Sequence, residues 1–164
     1  MERRVEALVV GGGLAGLSAA YFLARRGLRP WVLEREAPLS CTSDKSTEAY
    51  RLFWPGDEDL AALVRESLDL LSPFAGVARP NRRGYLYVGR LEALEAMALE
   101  APHAGPLRVH REAATYPKEA ASGLDLLLPG ALGEVFPYLG HLRGLGGLHV
   151  RPAGWLSAQG LGMA

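Results

Sequence analysis

Residues 5–36 read VEALVVGGGLAGLSAAYFLARRGLRPWVLERE. Val5 to Val10 is short, mostly apolar and β-branched at both ends, the pattern of a strand buried on both faces of a parallel sheet. Gly11, Gly12, Gly13, Leu14, Ala15 and Gly16 follow without a break, and Gly11, Gly13 and Gly16 satisfy G-x-G-x-x-G. Each of the three has its own reason. Gly11 permits a tight strand-to-helix turn, Gly13 lacks the Cβ that would keep a diphosphate off the backbone, and Gly16 lets the helix lie close to the strand. The spacing predicts a helix from Leu14 to Arg26, stopped by Gly27, with Ala19, Ala20 and Ala24 small enough for close packing on a sheet. Its first turn directs amides and the positive dipole end at phosphates. Pro30 to Leu33 reads as the second strand, and Glu34 stands at its tip.

Glu34 comes about 20 residues after the glycines, where a carboxylate accepts hydrogen bonds from the adenosine ribose and repels a 2′-phosphate. A bare glycine motif is a weak signal. Here strand, helix, stop glycine, second strand and acid fall in register, which points to an adenine dinucleotide other than NADP.

The totals set bounds. The chain has 164 residues, enough for a real core, and 49% hydrophobic against 22% charged residues is globular composition. Eighteen basic residues balance eighteen acidic ones, which gives no reason to expect nucleic acid or an anionic membrane as a partner. The single cysteine, Cys41, permits no internal disulfide and fits a reduced thiol in the cytoplasm. No apolar run approaches the roughly 20 residues of a membrane span. The charged start Met1 to Arg4 precedes a run that breaks at Gly11, unlike a signal peptide. The four histidines lack metal-ligand spacing, so no metal is expected, and neither G-x-S-x-G nor C-x-x-C occurs.

Downstream, the chain does not continue in regular strand–helix units. Residues 36–59, EAPLSCTSDKSTEAYRLFWPGDED, read as a polar loop leaving the sheet. A helix is predicted from Asp57 to Leu71, with Leu60, Leu63, Val64, Leu68 and Leu71 as its apolar stripe and acids at its N-terminus. Tyr85 to Val88 alternate as in a strand. A helix follows from Leu91 to Glu100, with Glu92, Glu95 and Glu100 on a solvated face. Leu132 to Gly140 reads as a short helical turn closed by Pro137. Tyr85 and Tyr87 are either one sheet face packed on a helix or the lining of a substrate cavity, and Trp155 is expected in the core.

Five motifs in this order, the glycine unit, TSDKSTEAYR (42–51), RRGYLYV (82–88), EVFPYL (134–139) and GGLHVRPAGWL (146–156), run through nearly the whole chain. They resemble the FAD-dependent amine and amino-acid oxidoreductases, the group of D-amino-acid oxidase, glycine oxidase and sarcosine oxidase. The resemblance implies an α/β fold, a Rossmann-like FAD/NAD(P)-binding domain with a parallel sheet and helices, joined to part of a β-rich substrate region. It implies FAD as cofactor and oxidation of a secondary amine or amino acid, with hydride passing to the flavin and the imine then hydrolysed. Ser43, Lys45, Ser46 and Thr47 match the position of the family's flavin loop, Arg35 the basic residue after the ribose-binding acid, and Arg51 a basic residue near flavin and substrate. The family loop usually carries Gly or Asn where Ser46 and Glu48 stand here. The chain identifies no catalytic residue.

By role, residues 1–56 are expected to form the FAD-binding βαβ unit and flavin loop, 57–140 an insertion leading to the substrate region, and 141–164 a return toward the FAD domain. Members of the group are much longer, and WLSAQGLGMA (155–164) ends where they begin a helix. The chain is therefore expected to be an N-terminal portion, from a fragment, a split gene or a frameshift, with Trp155, Leu156, Leu161 and Met163 leaving apolar surface. A small complete domain is the competing view. Other open readings are a non-catalytic FAD-binding subunit or truncated remnant acting only in a complex, and an NAD-dependent dehydrogenase; a homo- or hetero-oligomer is compatible with each.

Overall fold

A computed structural model describes residues 4–164; Met1 to Arg3, most of the charged start, lie outside the described residues. In chain order the elements are β1 (Ala7–Val10), α1 (Leu14–Arg25), β2 (Pro30–Leu33), β3 (Ala49–Arg51), α2 (Glu58–Leu71), α3 (Ala75–Ala78), β4 (Tyr85–Gly89), α4 (Leu91–Leu99), β5 (Leu107–His110), β6 (Leu124–Leu127), α5 (Pro129–Val135), β7 (Gly146–Val150), β8 (Ala153–Trp155) and α6 (Ala158–Gly162). The fold is the mixed α/β arrangement expected, with a parallel strand pair joined by a helix at its N-terminal end.

The elements form two compact units. The first holds the chain up to Glu48 together with Pro73–Pro80 and Leu156–Ala164; the second holds Ala49–Ser72 and Asn81–Trp155. Both are assembled from separated stretches, whereas the roles read from the sequence follow three consecutive segments.

In the first unit β1 and β2 pair in parallel, from Ala7 opposite Pro30 to Val10 opposite Leu33. The helix between them ends as the glycine signal requires: Arg26 is its C-cap and Gly27 takes φ +85°. One expectation fails here. The first strand is not buried on both faces: Ala7 and Val9 are half-buried, while Leu8 is 52% and Val10 80% exposed. The physical reason is that α1 supplies a covering layer for one face only, and a parallel strand needs one on each.

Near the chain's end, Ser157 caps α6 by accepting a hydrogen bond from the Gly160 amide at 3.0 Å. Leu156 is buried there, while Met163 is 73% exposed, so the expected apolar surface is confined to part of the segment.

The second unit is built on a four-stranded sheet in the order β4-β7-β6-β5. β7 runs antiparallel to both neighbours, and β5 is parallel to β6. On one face Leu124, Leu126, Leu148 and Val150 pack with Leu94 and Ala98 of α4 and with Phe53. Tyr85 and Tyr87 join this cluster, which supports the packed-face reading of the two tyrosines. On the other face Leu127 packs with Ala131 and Leu132 of α5.

Asp57 caps α2, its side chain accepting from the Leu60 amide at 2.9 Å. Within that helix Leu60, Val64, Leu68 and Leu71 are half-buried as the spacing predicts, Ala61 beside them is fully buried, and Leu63 alone of the expected stripe faces out, 60% exposed. Around Pro137 the helix begins earlier than expected, at Pro129, and Pro137 opens a short 3-10 turn instead of closing one. Both prolines occupy first-turn positions, where the missing amide costs nothing. Trp155 is 51% exposed, contrary to the core placement; in β8, Ala153 and Gly154 take the buried positions and the bulky ring lies outside.

Among the described residues no helix is long and apolar enough to cross a membrane.

Candidate functional site

The candidate site is the turn between β1 and α1. Gly11 has φ +107°, a conformation that side chains with a Cβ rarely adopt. A Cβ on Gly16 would overlap the Gly11 carbonyl oxygen and touch Val9, so helix and strand approach as closely as their backbones permit. Gly13 differs. It holds ordinary extended backbone, φ −74° and ψ 176°, and a Cβ there would meet only the Ser43 hydroxyl at 3.4 Å. The fold therefore leaves space beside Gly13 that it does not itself require.

Glu34 turns its carboxylate onto this turn. Oε2 accepts from the Gly12 amide at 2.5 Å, and Oε1 accepts from the amides of Arg35 at 2.7 Å and Glu36 at 3.0 Å. These backbone hydrogen bonds, from Glu36 first and then Gly12 and Arg35, hold its carboxyl below the usual carboxylate range. An ionised carboxylate here accepts from hydroxyl donors such as a ribose and repels a phosphate.

Ser43 reaches the same place from the following loop. Its Oγ accepts from the Leu14 amide at 3.0 Å, in the first turn of α1, which carries no acidic side chain. Gly13, Glu34 and Ser43 line one cavity of about 130 Å³ together with residues 37 and 39–42. Of these, Leu39 is not among the residues the sequence motifs single out. It is buried with φ +64°, and its amide donates to the Gly12 carbonyl at 3.0 Å, tying the loop to the glycine turn. The available signal was an apolar residue within a polar loop.

The other expected residues lie elsewhere. Arg35 is solvent-exposed and pairs with Glu36 at 3.2 Å, a surface ion pair of small energetic worth. Lys45, Ser46 and Thr47 are exposed and do not line the cavity; the Ser46 hydroxyl accepts from the Glu48 amide at 3.0 Å. Arg51 belongs to the second unit, its guanidinium 4.1 Å from the centre of the Trp54 ring. Among the described residues no group of His, Cys, Asp and Glu is arranged to hold a metal ion.

The residues at the turn fit a dinucleotide. The space beside Gly13 is one that a Cβ would fill, Glu34 presents an anionic acceptor, and the N-terminus of α1 presents amides. Replacing Glu34 with alanine is expected to lower FAD affinity by roughly tenfold or more, since both a charged acceptor and the brace on Gly12 are lost. Flavin-fluorescence titration of the folded variant reads this directly, and an unchanged affinity would remove Glu34 from the site.

Residues 6–162 match the family model DAO, FAD dependent oxidoreductase. A curated relative, aklavinone 12-hydroxylase of Streptomyces peucetius, is 46% identical over 63 residues, covering 35% of this chain and 13% of its own. Among solved structures, L-proline dehydrogenase from P. horikoshii superposes with a TM-score of 0.76 at 17% identity, over 99% of this chain and 41% of that one. Glycine oxidase from Geobacillus kaustophilus gives 0.76 at 17% identity, over 99% and 43%. The chain thus spans less than half the length of these two structures and a small part of the hydroxylase.

Proposed function

The chain belongs to the DAO family of FAD dependent oxidoreductases, and from that premise we propose that it is the N-terminal portion of an enzyme that oxidises a secondary amine or an amino acid. The observation that carries the reading is the extent of the family match. It runs from the glycine turn through the whole second unit, so it is more than a shared nucleotide motif. Two proteins of similar fold, named for L-proline and glycine, support the substrate class. The family's cofactor decides between FAD and NAD in favour of FAD.

In this proposal Gly11, Gly12, Gly13, Leu14, Ala15 and Gly16 hold the diphosphate, with the α1 dipole behind it. Glu34 holds the ribose, and Arg35 flanks it. Ser43, Lys45, Ser46 and Thr47 contact the flavin side, and Arg51 attracts the substrate's carboxylate. FAD, when bound, supplies the two-electron acceptor for breaking the C–H bond next to nitrogen. The polypeptide's part is to position the two molecules. The balanced charge and lone thiol suit the cytoplasm.

The test begins with the cofactor. Denaturing the purified protein is expected to release FAD; released NAD would end the proposal. Turnover is the second arm. On its own the 164-residue chain is expected to associate or aggregate and to oxidise neither L-proline nor glycine, because Leu8, Val10, Trp31 and Leu33 expose apolar surface on β1 and β2. Size-exclusion chromatography and an amine-oxidation assay check this. A monomeric, flavin-loaded and active chain would overturn it. Turnover only in a complex would instead favour a non-catalytic FAD-binding subunit.

A further inference from the structure

The second unit contains a cavity of about 960 Å³ whose lining comes from that unit alone. Its size falls in the range of small-molecule sites, roughly 300–1,000 Å³. Four basic residues, Arg82, Arg83, Lys118 and Arg151, stand on its wall against one acid, Glu119. Arg151 is buried and already committed: its Nε donates to Asp125, its Nη2 donates to the Pro117 carbonyl at 2.7 Å, and its guanidinium lies 4.6 Å from the centre of the Tyr116 ring. Arg82 makes a side-chain hydrogen bond to Tyr50. Arg83 and Lys118 are exposed.

Glu119 and Tyr138 are exposed, while His149 and Tyr116 are closed off. The His149 Nε2–H donates to the Arg83 carbonyl at 2.9 Å, which leaves Nδ1 to accept from the Tyr116 hydroxyl at 2.6 Å. Both ring nitrogens and the Tyr116 proton are thus used within the wall. Lysine and arginine supply the charged donors, and an anion is what such donors recognise. Beside them the wall is aromatic: Phe136 meets Tyr116 and Tyr138 edge-on, each pair 6.0 Å between ring centres, and Tyr138 is 71% exposed.

We propose that this cavity binds a small aromatic carboxylate, its anionic group met by Arg83 and Lys118 and its ring lying against Phe136 and Tyr138. The site is independent of the FAD reading and would stand if that reading fell.

The probe is 1-naphthoate, titrated calorimetrically into the intact chain, with the neutral 1-naphthalenemethanol as comparison. Saturable naphthoate binding is expected, with the alcohol at least about tenfold weaker. The double variant Arg83→Glu, Lys118→Glu should weaken naphthoate by a similar factor or more, and Tyr138→Ala should weaken both compounds. Leu63→Ser, at an exposed position of α2 that is not part of the wall, should leave binding unchanged. Absent binding, equal affinity for acid and alcohol, binding kept in the double variant, or loss in Leu63→Ser would each overturn the assignment. The wild-type comparison of acid with alcohol does not depend on any variant folding.

Discussion

Replacing Asp125 with alanine is expected to destabilise the second unit by roughly 3–5 kcal/mol, the cost of removing one member of a buried ion cluster. Asp125 is fully buried in β6 and is shared by Arg108 and His110 of β5 and by Arg151, the residue after β7. Arg108, its direct partner on β5, donates to both oxygens, at 2.6 Å and 3.1 Å. The His110 Nε2 lies 2.8 Å from Oδ1, and Arg151 Nε donates to Oδ2. Without the carboxylate, Arg151 keeps a buried guanidinium with its principal acceptor gone. Urea unfolding followed by circular dichroism measures the loss; a change under about 1 kcal/mol would show that the cluster is not what holds the sheet.

The same residue makes a pH prediction. Burial raises the Asp125 carboxyl, but hydrogen bonds from Arg108, His110 and Arg151 outweigh it and bring the pKa from 3.8 to about 2. A depressed folded pKa means the ionised form is favoured in the folded state. Its contribution is therefore fully present above pH 4 or so and is lost as pH falls through about 2, amounting to roughly 2–3 kcal/mol. Asp125→Asn should remove this part of the acid dependence. Identical slopes between about pH 4 and pH 2 in wild type and variant would refute it.

The second large effect separates two glycines of one motif. Gly16→Ala is expected to destabilise the first unit by about 1–3 kcal/mol or more, because its Cβ overlaps the Gly11 carbonyl and neither backbone can yield without opening the turn. Gly13→Val is expected to fold, since its backbone is one any residue adopts and its Cβ meets only a serine hydroxyl at 3.4 Å. It should nevertheless lose roughly ten- to a hundredfold in FAD affinity, because the new side chain fills the space proposed for the diphosphate. Circular dichroism and flavin titration of the two variants distinguish the roles. A Gly13→Val protein that keeps full flavin affinity would move the diphosphate elsewhere.

Local rules sufficed for the first unit's strand–helix–strand. A short apolar run, three spaced glycines, a stop glycine and an acid after the second strand each constrain backbone or charge within about 20 residues, so they are legible in order. The caps at Asp57 and the limits of α2 and α4 were legible for the same reason. Residues Leu107–His110 and Leu124–Leu127 do not read as strands in the sequence, because their pairing joins distant segments and because LDLL carries a charge at its centre. Only the tertiary structure puts that charge among Arg108, His110 and Arg151, and only it separates Arg51 from Ser43 by unit. It also decided that Leu8 and Val10 face outward and that Trp155 is half exposed. An apolar pattern states which side chains gain by burial. Whether a covering layer is there to bury them depends on segments far along the chain, and no local pattern records that.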